Sequence, residues 1–312
     1  MGAFHCPIGA AAKGSMGCIN CGLCTASTKT ARVAAADRMR TYIRTLSGTR
    51  AGLIRKIAVC GKGGVGKSTF SALLAESAVS LGFRTLVIDT DESNPSMHRR
   101  LGIDREPVPL LTLLERFSDA PQPVDPSWLA KDEIRFGDIP EQMIVTKGNM
   151  SLMCSGKIED PFEGCACSMS DLTRILMVNL VPAENELVIA DLEAGVESFG
   201  RGMEQGVDTV IIVIEPTLDS LGVASKIQYM SEGLGIRRIR GILNKIPDKA
   251  TEKQLIAMLK EKGIRYLGTM PYSSEISLSA LTGDVLAEGE AFSNVKRLAC
   301  LMFDEAEMDY SL

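Results

Sequence analysis

No stretch of this chain approaches the ~18 consecutive apolar residues of a membrane-spanning helix, and its first residues lack the charged-then-apolar pattern of a secretory leader. Both absences point to a protein that stays in the cytoplasm. Internal repeats are missing too. Acidic residues are nearly absent from positions 1–56, where Asp37 alone faces nine Lys and Arg; the remainder holds 25 basic against 38 acidic residues within a net charge of −5. Such a basic arm is a candidate nucleic-acid binder. Interleaved aromatics are lacking, however, with only Phe4 and Tyr42 present, and four cysteines interrupt the arm. Docking on an acidic protein surface is its expected use, and neither membrane nor nucleic acid is an expected partner.

What is present is a chain of 312 residues with 45% hydrophobic content, enough for one large α/β domain with an appendage, or for two domains. Nine cysteines in a cytoplasmic chain argue for metal or redox chemistry rather than disulfides. Residues 1–30 are rich in Gly, Ala, Ser and Cys and read as a small segment folded around a metal. Residues 31–50 read as a linker helix, with Val33, Ala36, Met39, Ile43 and Leu46 at helical spacing and Ser47-Gly48 ending it. From 55 to 312 the pattern is that of one domain. Short β-branched runs at 57–59, 85–89, 187–191, 209–214, 239–243 and 266–270 alternate with helical stretches. Continuous apolar strands separated by helices predict an α/β fold, three layers deep, with a mainly parallel sheet covered by helices on both faces. The proline-rich stretch 104–141 interrupts this rhythm and reads as an insertion.

Residues 61–69 read GKGGVGKST between a predicted strand and a predicted helix. Gly61, Gly63, Gly64 and Gly66, with Val65 between them, let the backbone wrap so that successive N–H groups face the phosphates of a nucleotide. Lys67 brings positive charge to the β- and γ-phosphates, Ser68 is a candidate Mg²⁺ ligand, and Thr69 continues the motif. A helix starting near Lys67 directs its positive end at the same anions. These features predict an ATP and Mg²⁺ site.

Lys62, just after the first glycine, is not required by the general loop pattern. With it, KGGVGKS resembles the deviant Walker A loop of the family that includes the nitrogenase iron protein, the Min and Par ATPases and metal-centre maturation ATPases. The likeness covers most of residues 56–284. It implies ATP hydrolysis by a homodimer in which Lys62 reaches the partner's nucleotide. It further implies that Asp91, in Asp89-Thr90-Asp91, orients the attacking water, and that Asp191 holds Mg²⁺ through water. Glu193 and Gly195 then belong to the loop DLEAGVESFGRG that senses the γ-phosphate. Asn244 takes the place of an adenine-reading asparagine, and Pro271-Tyr272 that of the loop lining the base.

Two cysteine clusters remain. Cys165-Ala166-Cys167 precedes a helix predicted from about 169 to 181, and a helix N-terminus favours the metal-binding thiolate. Two thiols cannot complete a tetrahedral site, but two copies across a twofold axis supply four sulfurs, suited to Zn²⁺ or Ni²⁺. With the loop and DLEAGVESFGRG, this pair resembles the CooC-type ATPases that mature nickel enzymes such as CO dehydrogenase. The resemblance implies metal at the dimer interface and a client nickel or metallocluster enzyme, either CO dehydrogenase-like or acetyl-CoA synthase-like. The nitrogenase iron protein differs, because residues 191–205 hold no cysteine. Cys6-Pro7 followed by Cys18, Cys21 and Cys24 in C-x2-C-x2-C spacing matches either a [4Fe–4S] cluster or a Zn²⁺ knot. An ATP-dependent iron–sulfur reductase acting on a metallocluster or corrinoid protein is therefore the alternative function. Cys60, Cys154 and Cys300 read as packing residues.

Overall fold

A computed structural model describes residues 54–90, 97–113, 124–156, 166–196, 206–282, 285 and 288–310. The Cys-rich segment 1–30, the linker helix 31–50, Asp91 and Cys165 lie outside these residues.

Each strongly β-branched run forms a strand. In chain order the strands are β1 (Lys56–Gly61), β2 (Arg84–Asp89), β3 (Val145–Lys147), β4 (Met150–Cys154), β5 (Glu186–Asp191), β6 (Thr209–Ile214), β7 (Arg238–Ile246) and β8 (Tyr266–Pro271). They make a single sheet ordered β3-β4-β2-β5-β1-β6-β7-β8, parallel throughout except for the β3–β4 pair. The two runs 145–147 and 150–154 were not among the strands expected from sequence. They join through Gly148, whose φ of +60° sets the tight turn, and they pair β4 in parallel with β2.

The helices are α1 (Lys67–Ser80), the short α2 (Met97–Arg100), α3 (Ala166–Asn179), α4 (Leu218–Gly233), α5 (Lys249–Glu261), α6 (Ser274–Thr282) and α7 (Glu290–Tyr310). Alternate strand residues feed two cores, one on each face of the sheet. Ile57, Val59, Leu187, Ile189, Ile211 and Val213 pack with Phe70, Leu73 and Leu74 of α1 and Val295 and Leu298 of α7. Ala58, Cys60, Val188, Ala190, Val210 and Ile212 pack with Leu176 of α3, Leu221 and Ile227 of α4 and Leu255 of α5. This is the three-layer α/β arrangement expected from the alternation of apolar runs and helical stretches. The stretch expected to be an insertion also contributes to the second core, through Leu110, Trp128, Ile134 and Phe136.

Helix α1 is buried along most of its length because it is covered twice, by the sheet below and by α7 above. Phe83, just after α1, stacks on Phe303 of α7 with ring centroids 5.0 Å apart. Helix α7 approaches β8 closely enough that a Cβ on Gly268 would lie 2.2 Å from Leu298 Cδ2, so glycine is needed for that contact. Strand β1 is flanked by β5 on one side and β6 on the other. The chain order reverses there, and in open parallel sheets a ligand crevice forms beyond the carboxyl ends of the strands at such a point. Residues 61–69 begin at that end of β1.

Among the described residues no helix is long and apolar enough to cross a membrane.

Candidate functional site

The loop between β1 and α1 takes the shape its glycines permit. Gly61, Gly64 and Gly66 have φ of +146°, +79° and +96°, which side-chain-bearing residues rarely adopt. Space is restricted as well: a Cβ on Gly61 would sit 2.4 Å from the Val213 carbonyl oxygen, and one on Gly66 2.5 Å from Asn244 Nδ2. Gly66 caps α1 without a side-chain bond, and the first turn carries no acid. The helix N–H groups are thereby left for an external anion.

Beyond the loop lies a cleft of about 530 Å³, into which Gly63, Gly64, Gly66, Lys67, Ser68 and Thr69 project from one wall. Asp191, Glu193, Asn244, Lys245, Pro271 and Tyr272 complete it, together with Arg100. Most residues singled out from sequence for the nucleotide site thus converge on one cavity. Val65 is buried beneath the loop, and its carbonyl oxygen accepts from Asn244 Nδ2 at 2.7 Å. Lys67 Nζ lies 3.5 Å from the Lys62 carbonyl oxygen.

Asp191 ends β5 with 2% exposure, and its Oδ1 accepts from Ser71 Oγ at 2.9 Å. Thr90, following β2, donates through its N–H and its hydroxyl to the Asp191 carbonyl oxygen, at 3.2 and 2.8 Å. The loop after Asp191 is tied to the phosphate loop itself, since Gly195 N–H donates to the Gly61 carbonyl at 3.1 Å. Ser68 and Asp191 present only hydroxyl and carboxylate oxygens to the cleft, the donor set that suits Mg²⁺. When bound with ATP, the ion would neutralise charge developing on the phosphates.

Several participants gave no sequence signal. Ser71 lies one turn beyond Lys67, at i+4, and only that helical offset could have pointed to it. Glu215, just after β6, takes Lys62 Nζ on Oε1 and Lys245 Nζ on Oε2, each at 3.4 Å. Lys245 is the one non-glycine residue at positive φ among the described residues (+57°), and its Nζ also donates to the Gly64 carbonyl at 2.6 Å. With Asn244 on Val65, two consecutive residues of β7 therefore grip two consecutive carbonyls of the phosphate loop. Both polar ends of the Asn244 amide are engaged within the chain, its Oδ1 accepting the Lys245 N–H at 2.8 Å.

Of the proposed metal ligands, Cys167 is the second residue of α3, whose backbone begins at Ala166, three residues earlier than expected from sequence. Its side chain, Cys165 and the four arm cysteines Cys6, Cys18, Cys21 and Cys24 lie outside the described residues. Cys60 and Cys154 are buried, and Cys300 is half-buried on α7. Burial, then the charges of Asp89 and Glu106, pushes the Cys154 thiol far above its ordinary pKa, as suits a packing residue.

A parallel sheet with a glycine-cradled helix start at its switch point, a lysine in the cradle and an acid on the neighbouring strand defines a P-loop nucleotide-binding protein. The chain belongs to the CobQ/CobB/MinD/ParA nucleotide-binding domain family, whose model matches residues 56–286. An uncharacterized ATP-binding protein of Methanocaldococcus jannaschii is 38% identical over 237 residues, covering 74% of this chain and 93% of that relative. The carbon monoxide dehydrogenase accessory protein CooC of Rhodospirillum rubrum is 32% identical over 236 residues, covering 73% and 88%. The septum site-determining protein MinD of Pyrococcus horikoshii, solved with Mg-ADP, shares the fold at a TM-score of 0.58 and 19% identity, covering 78% of this chain and 94% of that one. The protein is an ATP-binding ATPase of this family.

Proposed function

We propose that this ATPase is a dimeric maturation factor that carries Ni²⁺ between Cys165 and Cys167 of two protomers and delivers it to a CO dehydrogenase-like or acetyl-CoA synthase-like enzyme. The observation that carries the reading is the Cys-Ala-Cys run at the start of α3 in a chain 32% identical to a carbon monoxide dehydrogenase accessory protein. Nickel is cargo here, and the paired thiolates of two chains supply a four-sulfur site for it, as they would for Zn²⁺. ATP binds on the glycine loop with Lys67 and Mg²⁺, Asp91 orients the attacking water, and Lys62 leaves Glu215 to reach the partner's nucleotide. Closure by ATP requires contacts that exist only in the closed dimer, and Lys62 and the loops of Asp91 and Asp191 are the candidates. Asn244 and Pro271 hold the base in this reading, which requires the Asn244 amide to exchange a partner within the chain for the adenine. The test is a Cys165→Ala/Cys167→Ala double variant, in which bound nickel should be lost while ATP binding persists. Nickel stoichiometry equal to wild type would sink the carrier role.

Cys6, Cys18, Cys21 and Cys24 favour a second reading, in which hydrolysis gates electron transfer from a [4Fe–4S] cluster to a metallocluster or corrinoid partner. Electron paramagnetic resonance of anaerobically purified, reduced protein separates the two. A chain with full ATPase activity and no cluster signal leaves only the first.

A further inference from the structure

We propose that Arg100 is a phosphate-binding residue of the nucleotide site, one that the glycine-loop motif does not include. Arg100 is the last residue of α2, the segment that follows the loop after β2. Its guanidinium reaches the phosphate-binding helix, where Nη1 donates to Thr69 Oγ1 at 3.1 Å, and its side chain lines the cleft. Its Nε is buried and has no hydrogen-bond partner. Among the described residues no carboxylate pairs with it. A guanidinium has five donors and no way to shed its charge, so an unmet buried donor beside a cleft carries a free-energy cost that an anion in the cleft removes.

The other cations at the site differ in this respect. Lys62 and Lys245 already share the Glu215 carboxylate. Lys67 and Arg100 line the cleft with no carboxylate partner among the described residues, so they are the charges left to meet a polyanion. The ligand chemistry follows from the position of the contact. Thr69 lies two residues beyond Lys67, in the first turn of α1 where unpaired N–H groups face an anion, and a planar guanidinium fork matches phosphate oxygens rather than a neutral base. On this assignment Arg100 binds the phosphate chain of a nucleoside di- or triphosphate.

The experiment compares wild type, Arg100→Gln and Arg100→Lys for affinity toward MgADP and for displacement of a fluorescent ADP analogue by inorganic tripolyphosphate, which has no base. Arg100→Gln should weaken both ligands by about tenfold, the loss of one charge-assisted contact, with the melting temperature of the nucleotide-free protein unmoved. Affinities for both ligands within about twofold of wild type would overturn the proposal, since a twofold change is less than about a third of the free energy of the tenfold effect expected. Weaker ADP binding with tripolyphosphate unaffected would overturn it in favour of a base or ribose contact. Should Arg100→Gln melt at a lower temperature, Arg100→Lys decides. Recovery of affinity toward wild type supports a charge contact, and affinity as poor as that of Arg100→Gln overturns it.

Discussion

Replacing Ser71 with alanine removes a single hydroxyl, yet its position makes the effect calculable. Ser71 is fully buried, Asp191 is 2% exposed, and the Oγ–Oδ1 distance of 2.9 Å is that of a sound hydrogen bond to a carboxylate. A hydrogen bond to a charged group contributes about 1.5–3 kcal/mol, and a buried carboxylate that loses a donor forfeits most of this. Alanine is the better helix former by up to about 0.5 kcal/mol, which offsets a little of the loss in α1. The net destabilisation is about 1–2.5 kcal/mol. For a domain of this size that corresponds to a melting temperature lower by roughly 2–10 °C. Because Asp191 also lines the nucleotide cleft, its looser carboxylate should raise the Mg²⁺ concentration needed for half-maximal ATPase activity. Differential scanning calorimetry and a Mg²⁺ titration of hydrolysis read the two effects separately. A Ser71→Ala protein that melts with wild type and keeps the same Mg²⁺ dependence would refute both the strength assigned to this bond and its role in aiming Asp191.

Gly66→Ala places a Cβ 2.5 Å from Asn244 Nδ2 at a φ of +96°, so the loop must reshape; calorimetric titration should show MgADP binding lost while the far-ultraviolet circular dichroism is kept. Leu298→Ala empties a fully buried position over Gly268 and should cost about 2–5 kcal/mol, visible as a lower urea midpoint. Asp248 caps α5, and the Thr251 N–H at 2.8 Å from its Oδ1 holds the carboxyl below the ordinary Asp value. The folded-state pKa is the depressed one, so the cap stabilises above the unfolded value of about 3.9 and fades as the pH falls through the folded value. Asp248→Ala should therefore melt below wild type at neutral pH, with the gap closing in acid, and a gap independent of pH would contradict the assignment.

How far the molecule could be read from its sequence depended on the kind of signal. Strands β1, β2, β5, β6, β7 and β8 announce themselves as mainly apolar runs because both faces of a parallel sheet are covered and their central positions are buried on either side. Strands β3 and β4 do not. Val145–Lys147 is three residues long and partly exposed, and Met150–Cys154 has methionines and a serine where β-branched residues would mark a strand. The glycine loop was legible because Gly61, Gly64 and Gly66 each answer a backbone requirement that the structure displays. Arg100, Glu215 and Lys245 were not, because they meet the loop only after the chain has folded back across 31 to 181 residues, and no local spacing records such a contact; Ser71 likewise meets Asp191 across 120 residues, with only its helical offset from Lys67 as a local hint. Lys245 shows the difficulty best: it stands next to the asparagine that drew notice, yet its left-handed backbone and its reach to Gly64 follow from an irregularity in β7–β8 pairing between Leu243 and Ile246.

The central claim, that nucleotide controls a metal shared by two chains, is tested most directly by equilibrium dialysis of radioactive Ni²⁺ against anaerobic, metal-stripped protein with MgATP, with MgADP and with no nucleotide. The account predicts about one Ni²⁺ per two chains in a site that depends on Cys165 and Cys167, with an affinity that changes between the ATP and ADP states. The same nickel affinity in all three conditions, or nickel bound equally well by the Cys165→Ala/Cys167→Ala protein, would contradict it.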